Sequence, residues 1–342
     1  MNTTKLTIGN KIVGHGERTF IIAEIGINHN GFPEVAKNMI VAAIASGADA
    51  VKFQKRTVDI VYSPEELEKP RQVHRSILQN AIERNVLSPA AVDRLQKSDF
   101  QNSTNGDLKY ALEFTAAEYR EIDEFCRAKG IPCFASPWDE ASVDFLEQFE
   151  PPAYKIASAS ITDDDLIRRV RSKGRPIIMS TGAANLDMIR YAVSLIGEEN
   201  LALLHCTSFY VKPVTGSEEM CKMVNLLAIR TLLEQFPGVP VGFSSHFSGI
   251  QPAIASVVLG ASIVETHITL ERSMIGTDQA SSLEPQEFSN LCRIIREYDV
   301  LKGDGVIDIY PQERDVMTKL RRVWSPKQRE LDDAHPSRDK LV

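Results

Sequence analysis

The sequence predicts an α/β protein closed into a (β/α)8 TIM barrel, and three observations carry that expectation. Eight short β-rich runs recur along the 342 residues. Each is followed by a segment whose apolar residues fall at helical spacing. The runs are nearly continuous in apolar character, the pattern of parallel strands covered by helices on both faces. Eight such units in a chain of this length fit a closed barrel of ~250 residues better than an open sheet.

The strands are expected, in order, at 19–26 (TFIIAEIG), 48–54 (ADAVKFQ), 131–137 (IPCFASP), 152–158 (PAYKIAS), 176–182 (PIIMSTG), 201–208 (LALLHCTS), 239–245 (VPVGFSS) and 261–268 (ASIVETHI). Segments between them, such as TAAEYREIDEFCRAKG and NLDMIRYAVSLIG, open on a capping Thr or Asn and close on Gly. Two regions break this beat. Residues 57–113 are far longer than an ordinary βα connection and show helical patterning around 70–97, so a lid or an oligomer contact is expected of them. Residues 311–342 are charged and weakly patterned, an expected exposed tail beyond a barrel domain spanning 1–310.

Composition narrows the function. With 39 Lys and Arg against 46 Asp and Glu, a net charge of −7, the chain lacks the clustered basic surface that neutralises nucleic-acid phosphates. Five scattered cysteines, odd in number and without a C-x-x-C pair, argue against a disulfide framework and for a reducing cytoplasm. The N-terminus has no apolar core of signal-peptide length, and no window reaches the ~18 apolar residues of a membrane span.

In a parallel barrel the catalytic groups come from the carboxyl ends of several strands, because the βα loops there share one crater. Polar residues gather at those ends: Glu24 on the first strand, Lys52 and Gln54 on the second, Ser136 on the third, Lys155 and Ser158 on the fourth. Ser180 follows on the fifth, His205 and Ser208 on the sixth, Ser244 and His246 on the seventh, and His267 on the eighth. A single Lys or Ser at such a place is more often a solvated edge or a cap; charged groups on most of the ends are not so explained. His246 and His267 lie one βα repeat apart, on neighbouring strands at one height, and neutral imidazoles so paired suit a divalent transition ion with open positions for Lewis-acid work. Asp278, in GTDQASSLEP, is a candidate third ligand or supporting partner, or simply a loop aspartate. Lys52 and Lys155, with Ser158, Ser180 and Ser244, suit a dianionic phosphate. The alternatives are that the lysines only neutralise Glu24 and other carboxylates, or that Lys155 is a Schiff-base nucleophile.

IIAEIGINHNG, DAVKFQ, YKIASAS, IIMSTG, LLHCTSFY, GFSSHFSG and GTDQASSLEP, in this order over roughly residues 18–310, resemble the N-acetylneuraminate (sialic acid) synthase family. The resemblance implies a cytoplasmic barrel enzyme that condenses phosphoenolpyruvate with an N-acetylated hexosamine, N-acetylmannosamine in the type enzyme, releasing phosphate by C–O cleavage. It implies a divalent cofactor, commonly manganese, with magnesium or cobalt as substitutes, that polarises the sugar aldehyde. His246 and His267 match the metal pair, and Lys52, Lys155, Ser158, Ser180 and Ser244 the phosphoenolpyruvate site. Glu24, Gln54, Tyr210 and Asp278 match positions around the sugar and the reacting carbons, with Glu24 the candidate general acid/base beside His246, His267 and Asp278 in the catalytic set. Ser208 stands where the family often has Asn, Ser160 where it often has Glu, and Ser245 where it often has Asp. Family members are typically homodimers with a C-terminal antifreeze-like domain; the tail from about 311 does not resemble one, so a short form is expected. Sibling reactions remain open at this point: a legionaminate-type or 3-deoxy-octulosonate 8-phosphate-type synthase, a Schiff-base aldolase, or a non-catalytic sugar-binding barrel.

Overall fold

The computed structural model describes residues 5–208 and 218–334. Eight parallel strands follow a two-stranded hairpin. The hairpin is β1 (Leu6–Ile8) and β2 (Lys11–Val13); the barrel strands are β3 (Phe20–Gly26), β4 (Ala50–Lys55), β5 (Cys133–Pro137), β6 (Tyr154–Ile156), β7 (Ile177–Ser180), β8 (Leu201–Cys206), β9 (Val241–Ser245) and β10 (Ile263–His267). Their order, β5-β4-β3-β10-β9-β8-β7-β6, is that of a barrel with a seam. β5 and β6, at the two ends of that order, lie side by side and bring the sheet round to a nearly closed cylinder. Seven of the eight strands fall inside the runs read from the sequence, and β4 overruns its own by one residue, Lys55.

Local chemistry explains the helices between them. The helix Pro33–Ser46 starts on a proline and stops at Gly47, whose φ of 94° a side-chain-bearing residue rarely adopts. The helix Ala116–Lys129 opens on a reciprocal capping box between Thr115 and Glu118.

The hairpin was not anticipated. Leu6, Ile8 and Val13 are fully buried against Phe20, Ile22, Ala50, Phe134, Ile178, Ala202 and Ile263, residues at or near the amino ends of the barrel strands. The hairpin therefore plugs the floor of the cylinder, and Lys11 anchors it with a 2.7 Å ion pair to the buried Asp49.

The insertion after β4 is a small helical body rather than one long helix. It comprises Val58–Val61, Pro64–Glu68, Arg75–Glu83, Pro89–Lys97 and Asn105–Leu112. The patterning expected over 70–97 breaks at Asn85, which has a φ of 57°, and restarts where Ser88 caps the Pro89–Lys97 helix. Ile77, Leu78, Ala81, Leu95 and Ala111 give the body its own apolar core.

The chain divides into two compact units, Met1–Arg296 and Glu297–Val342. In the second unit the expected tail holds two helices, Pro311–Leu320 and Pro326–Ala334, joined by an Arg314–Asp332 ion pair of 2.5 Å. Among the described residues no helix is long and apolar enough to cross a membrane.

Candidate active site

Strand register sets the site. Parallel pairing places Glu24 of β3 opposite both Lys52 of β4 and His267 of β10, and Ser244 of β9 opposite Glu265 of β10. Side chains two apart on a strand share a face, so Lys52 and Gln54, or Glu265 and His267, enter the barrel together. A cavity of about 170 Å³ results, lined by Glu24, Lys52, Gln54, Ser136, Trp138, Lys155, Ser158, Ser180, Ser208, Ser244, His246, Glu265 and His267 among others. Of the twelve candidate residues, ten meet here. Asp278, 9% exposed in the loop after β10, acts on both histidines by its charge. Tyr210 lies outside the described residues.

The two lysines occupy different environments. The Lys52 ammonium is 2.8 Å from Glu24 Oε2, 3.5 Å from Glu265 Oε1 and 3.2 Å from Ser136 Oγ. Burial disfavours its charge, yet these two carboxylates outweigh burial and raise its pKa above the ordinary 10.5. Lys155 donates to Ser180 Oγ at 2.6 Å and stands 3.7 Å from Glu265 Oε1. Burial, reinforced by Lys52, lowers its pKa despite Glu265. Glu265 itself accepts from Ser244 Oγ at 3.1 Å. Burial works to raise its pKa, but Lys155 and Lys52 pull it down to about 2.

Beside Lys155 the backbone opens a recess. Gly182 N donates to Ser158 Oγ at 3.1 Å. A Cβ on Gly182 would stand 2.2 Å from Ser208 Oγ and 2.6 Å from Ser158 Oγ, so only glycine lets the two hydroxyls approach this strand end. The ammonium of Lys155 with the hydroxyls of Ser158, Ser180 and Ser208 is a donor set for a phosphate.

His246 and His267 face one another with ring centroids 5.4 Å apart. His267 Nδ1 is buried and has no hydrogen-bond partner, which is costly for an imidazole unless something electropositive meets the ring. Burial lowers the pKa of His267 and keeps it in the neutral form that binds metals. His246 Nδ1 is 3.5 Å from Cys206 Sγ; burial opposes its charge, but Cys206, Glu265 and Asp278 together hold its pKa above 6.5. The pair therefore fits a divalent ion that takes its remaining ligands from substrate or water. Among the described residues no three His, Cys, Asp or Glu side chains converge for an ion, so Asp278 is placed as a charge near the pair rather than as a third member of a cluster.

Two readings of the strand ends change. His205 turns away from the crater and places Nε2 2.9 Å from the Val224 carbonyl oxygen. Glu265, inside β10, lines the cavity, and Cys206, the last residue of β8, reaches it through His246; each lies two residues before a recognised site residue, His267 and Ser208, and alternation on the strand was the available signal. None of the described residues lining the cavity comes from the 57–113 insertion. Insertion residues Arg71, Val73, His74 and Ile77 instead line a neighbouring groove with Ile27, Asn30 and Ile275.

Residues 39–307 match the NeuB family. This chain belongs to that family. The NeuB-family chain is 33% identical over 310 residues to N-acetylneuraminate-9-phosphate synthase of Homo sapiens, covering 90% of this chain and 78% of that protein. It is 30% identical to N,N'-diacetyllegionaminic acid synthase of Legionella pneumophila, covering 100% and 89% respectively. The crystal structure of an N-acetylneuraminic acid (sialic acid) synthetase from Leptospira borgpetersenii superposes with a TM-score of 0.71 at 28% identity, over 94% of this chain and 99% of the other. As a NeuB-family protein it is an enzyme of the sialic acid synthase type.

Proposed function

We propose that the protein condenses phosphoenolpyruvate with an N-acetylated hexosamine, N-acetylmannosamine-like in its acceptor carbon, giving a nonulosonic acid and phosphate. The observation that carries this is one cavity holding a facing His246–His267 pair beside two buried lysines. The named activities of its relatives support the same reaction type.

In this reading Lys155, Ser158, Ser180 and Ser208 hold the phosphate, and Lys52, braced by Glu24 and Glu265, presents its charge to the carboxylate of the enol ester. His246 and His267 would hold a divalent ion, manganese foremost and magnesium or cobalt otherwise, which supplies Lewis acidity toward a carbonyl oxygen. Glu24, 2.8 Å from Lys52 and accepting from Gln54 Nε2 at 3.1 Å, is the carboxylate placed to take or return a proton at the reacting carbons. Ser244, opposite Glu265 on the neighbouring strand, braces it by donating to its carboxylate. All five cysteines are free, which agrees with a reducing cytoplasm as the site of action.

The test is a phosphate-release screen with phosphoenolpyruvate, manganese and a panel of hexosamines, including N-acetylmannosamine and its 6-phosphate. Release that needs both a sugar and the ion, and that His246→Ala and His267→Ala abolish in folded protein, is the expected result; release surviving exhaustive chelation removes the metal. The lowered pKa of Lys155 favours one rival, a Schiff-base aldolase. Borohydride trapping with pyruvate is expected to leave Lys155 unmodified, and a covalent adduct there would support the aldolase instead.

A further inference from the structure

The insertion is tied to the site by hydrogen bonds, and the contact runs through one buried arginine. Arg56, just beyond β4, is 8% exposed. Its guanidinium lies over the Trp138 ring at 4.4 Å, reaches Glu113 Oε1 at 3.4 Å, and donates through Nη2 to Gln54 Oε1. Glu113, at the end of the insertion, also accepts from the Arg56 backbone N–H at 3.2 Å and from Lys55 Nζ at 3.1 Å. Arg84 of the insertion donates to the Glu113 carbonyl oxygen at 2.7 Å and fixes that segment in turn.

Gln54 is where this chain becomes directional. An amide has a donor end and an acceptor end. The Arg56 donor takes the Oε1 end, which leaves Nε2 to donate to Glu24 Oε1 at 3.1 Å. Reversing the amide would set an NH2 against a guanidinium and an oxygen against a carboxylate, both repulsive. Arg56 thereby selects the amide orientation that holds Glu24, and Glu24 has Lys52 on its other oxygen.

Stability gives a weak reason for an arginine here. Its Nε is buried without a partner, and an unmet donor on a buried charge costs folding free energy, which offsets part of what its pairing with Glu113 contributes. We propose that Arg56 is a positioning residue for Glu24, acting through the Gln54 amide, and that it ties the geometry of the carboxylate to the 57–113 insertion. This rests on the role given to Glu24 above.

The variant to make is Arg56→Met, which keeps a stem over Trp138 and loses every donor. It is expected to stay folded with a lowered Tm, because Glu113 loses one of its two cationic partners and keeps Lys55, while kcat for phosphate release falls about tenfold, the scale expected for a misplaced catalytic group. The KM for phosphoenolpyruvate should change less than about twofold, because the phosphate donors are untouched. Arg56→Lys, which restores one charged donor, should recover part of kcat. In a Gln54→Ala background the Arg56→Met effect should vanish, since nothing remains for it to orient. An undiminished effect in that background, or a kcat equal to wild type in Arg56→Met alone, overturns the proposal. A crystal structure of Arg56→Met decides it independently of turnover. Glu24 displaced from Gln54 and Lys52 supports the inference, and Glu24 unmoved sinks it even if no acceptor sugar is ever found. Absence of phosphate release by the wild-type enzyme would count against the proposed reaction, not against this positioning.

Discussion

Lys52 and Lys155 enter one cavity and titrate in opposite directions. The first has Glu24 within 2.8 Å and is held above the ordinary lysine value; the second is 3.7 Å from its nearest carboxylate and is pulled below it by burial. Phosphoenolpyruvate binding is therefore expected to weaken as pH rises through the Lys155 pKa, with the loss beginning below 10.5. Lys155→Arg keeps its charge, because a guanidinium stays protonated to about pH 12 or beyond. Equilibrium binding measured from about pH 7 to about pH 10 should show the alkaline loss in wild type and its displacement upward in the arginine variant. An unmoved midpoint would assign the titration to another group.

Glu265 separates the two ammoniums, and its removal should reveal their repulsion. In Glu265→Gln a buried charge network loses its shared anion, a change expected to cost about 3 kcal/mol of stability by urea denaturation. Its folded pKa of about 2 lies below the ordinary 4.5. The stability it contributes is thus complete above 4.5 and is lost as pH falls toward about 2, so the variant should lack that part of the acid dependence. Inorganic phosphate, an anion able to supply the lost negative charge beside the lysines, should raise the Tm of the variant more than that of wild type. An equal rise in both would show that Glu265 does not screen the pair.

The floor of the barrel should behave as pure packing. Ile8 is fully buried among strand residues far along the cylinder from the polar mouth. Ile8→Ala is expected to cost about 3 kcal/mol through lost transfer energy and the cavity left behind, with kcat and KM for phosphate release unchanged. A specific loss of kcat would mean that the hairpin reaches the chemistry.

The barrel was legible because strands buried on both faces must be apolar along their whole length, and eight runs announce themselves in any such chain. Its site was legible to the extent that strand ends are known to converge, which is enough to bring His246, His267, Lys52 and Lys155 together on paper. Glu265 was hidden because it sits inside a strand, where a charge reads as an interruption; only pairing with Ser244 and the two lysines through space gives it a purpose. Distances of that kind depend on the register between β3, β4, β9 and β10, which no local pattern fixes. The hairpin escaped notice for a different reason. LTIGNKIV alternates like a strand pair around a Gly-Asn turn, but its two arms of three residues are too short to stand out against a loop. The insertion's length announced a body of its own, and its apolar side chains do form a separate core, but the reach of Glu113 to Arg56 depends on tertiary placement that no local pattern carries.

The plug formed by Leu6, Ile8 and Val13 makes the cylinder a blind alley. Whatever reaches Lys52 and Lys155 must enter and leave by the polar mouth, where His267 stands level with Lys52 across Glu24, since the opposite end is closed. Two reactants that share a single opening are expected to bind in a fixed order, the one seated against the lysines first. The inhibition patterns that products and dead-end analogues give against each reactant should carry that order.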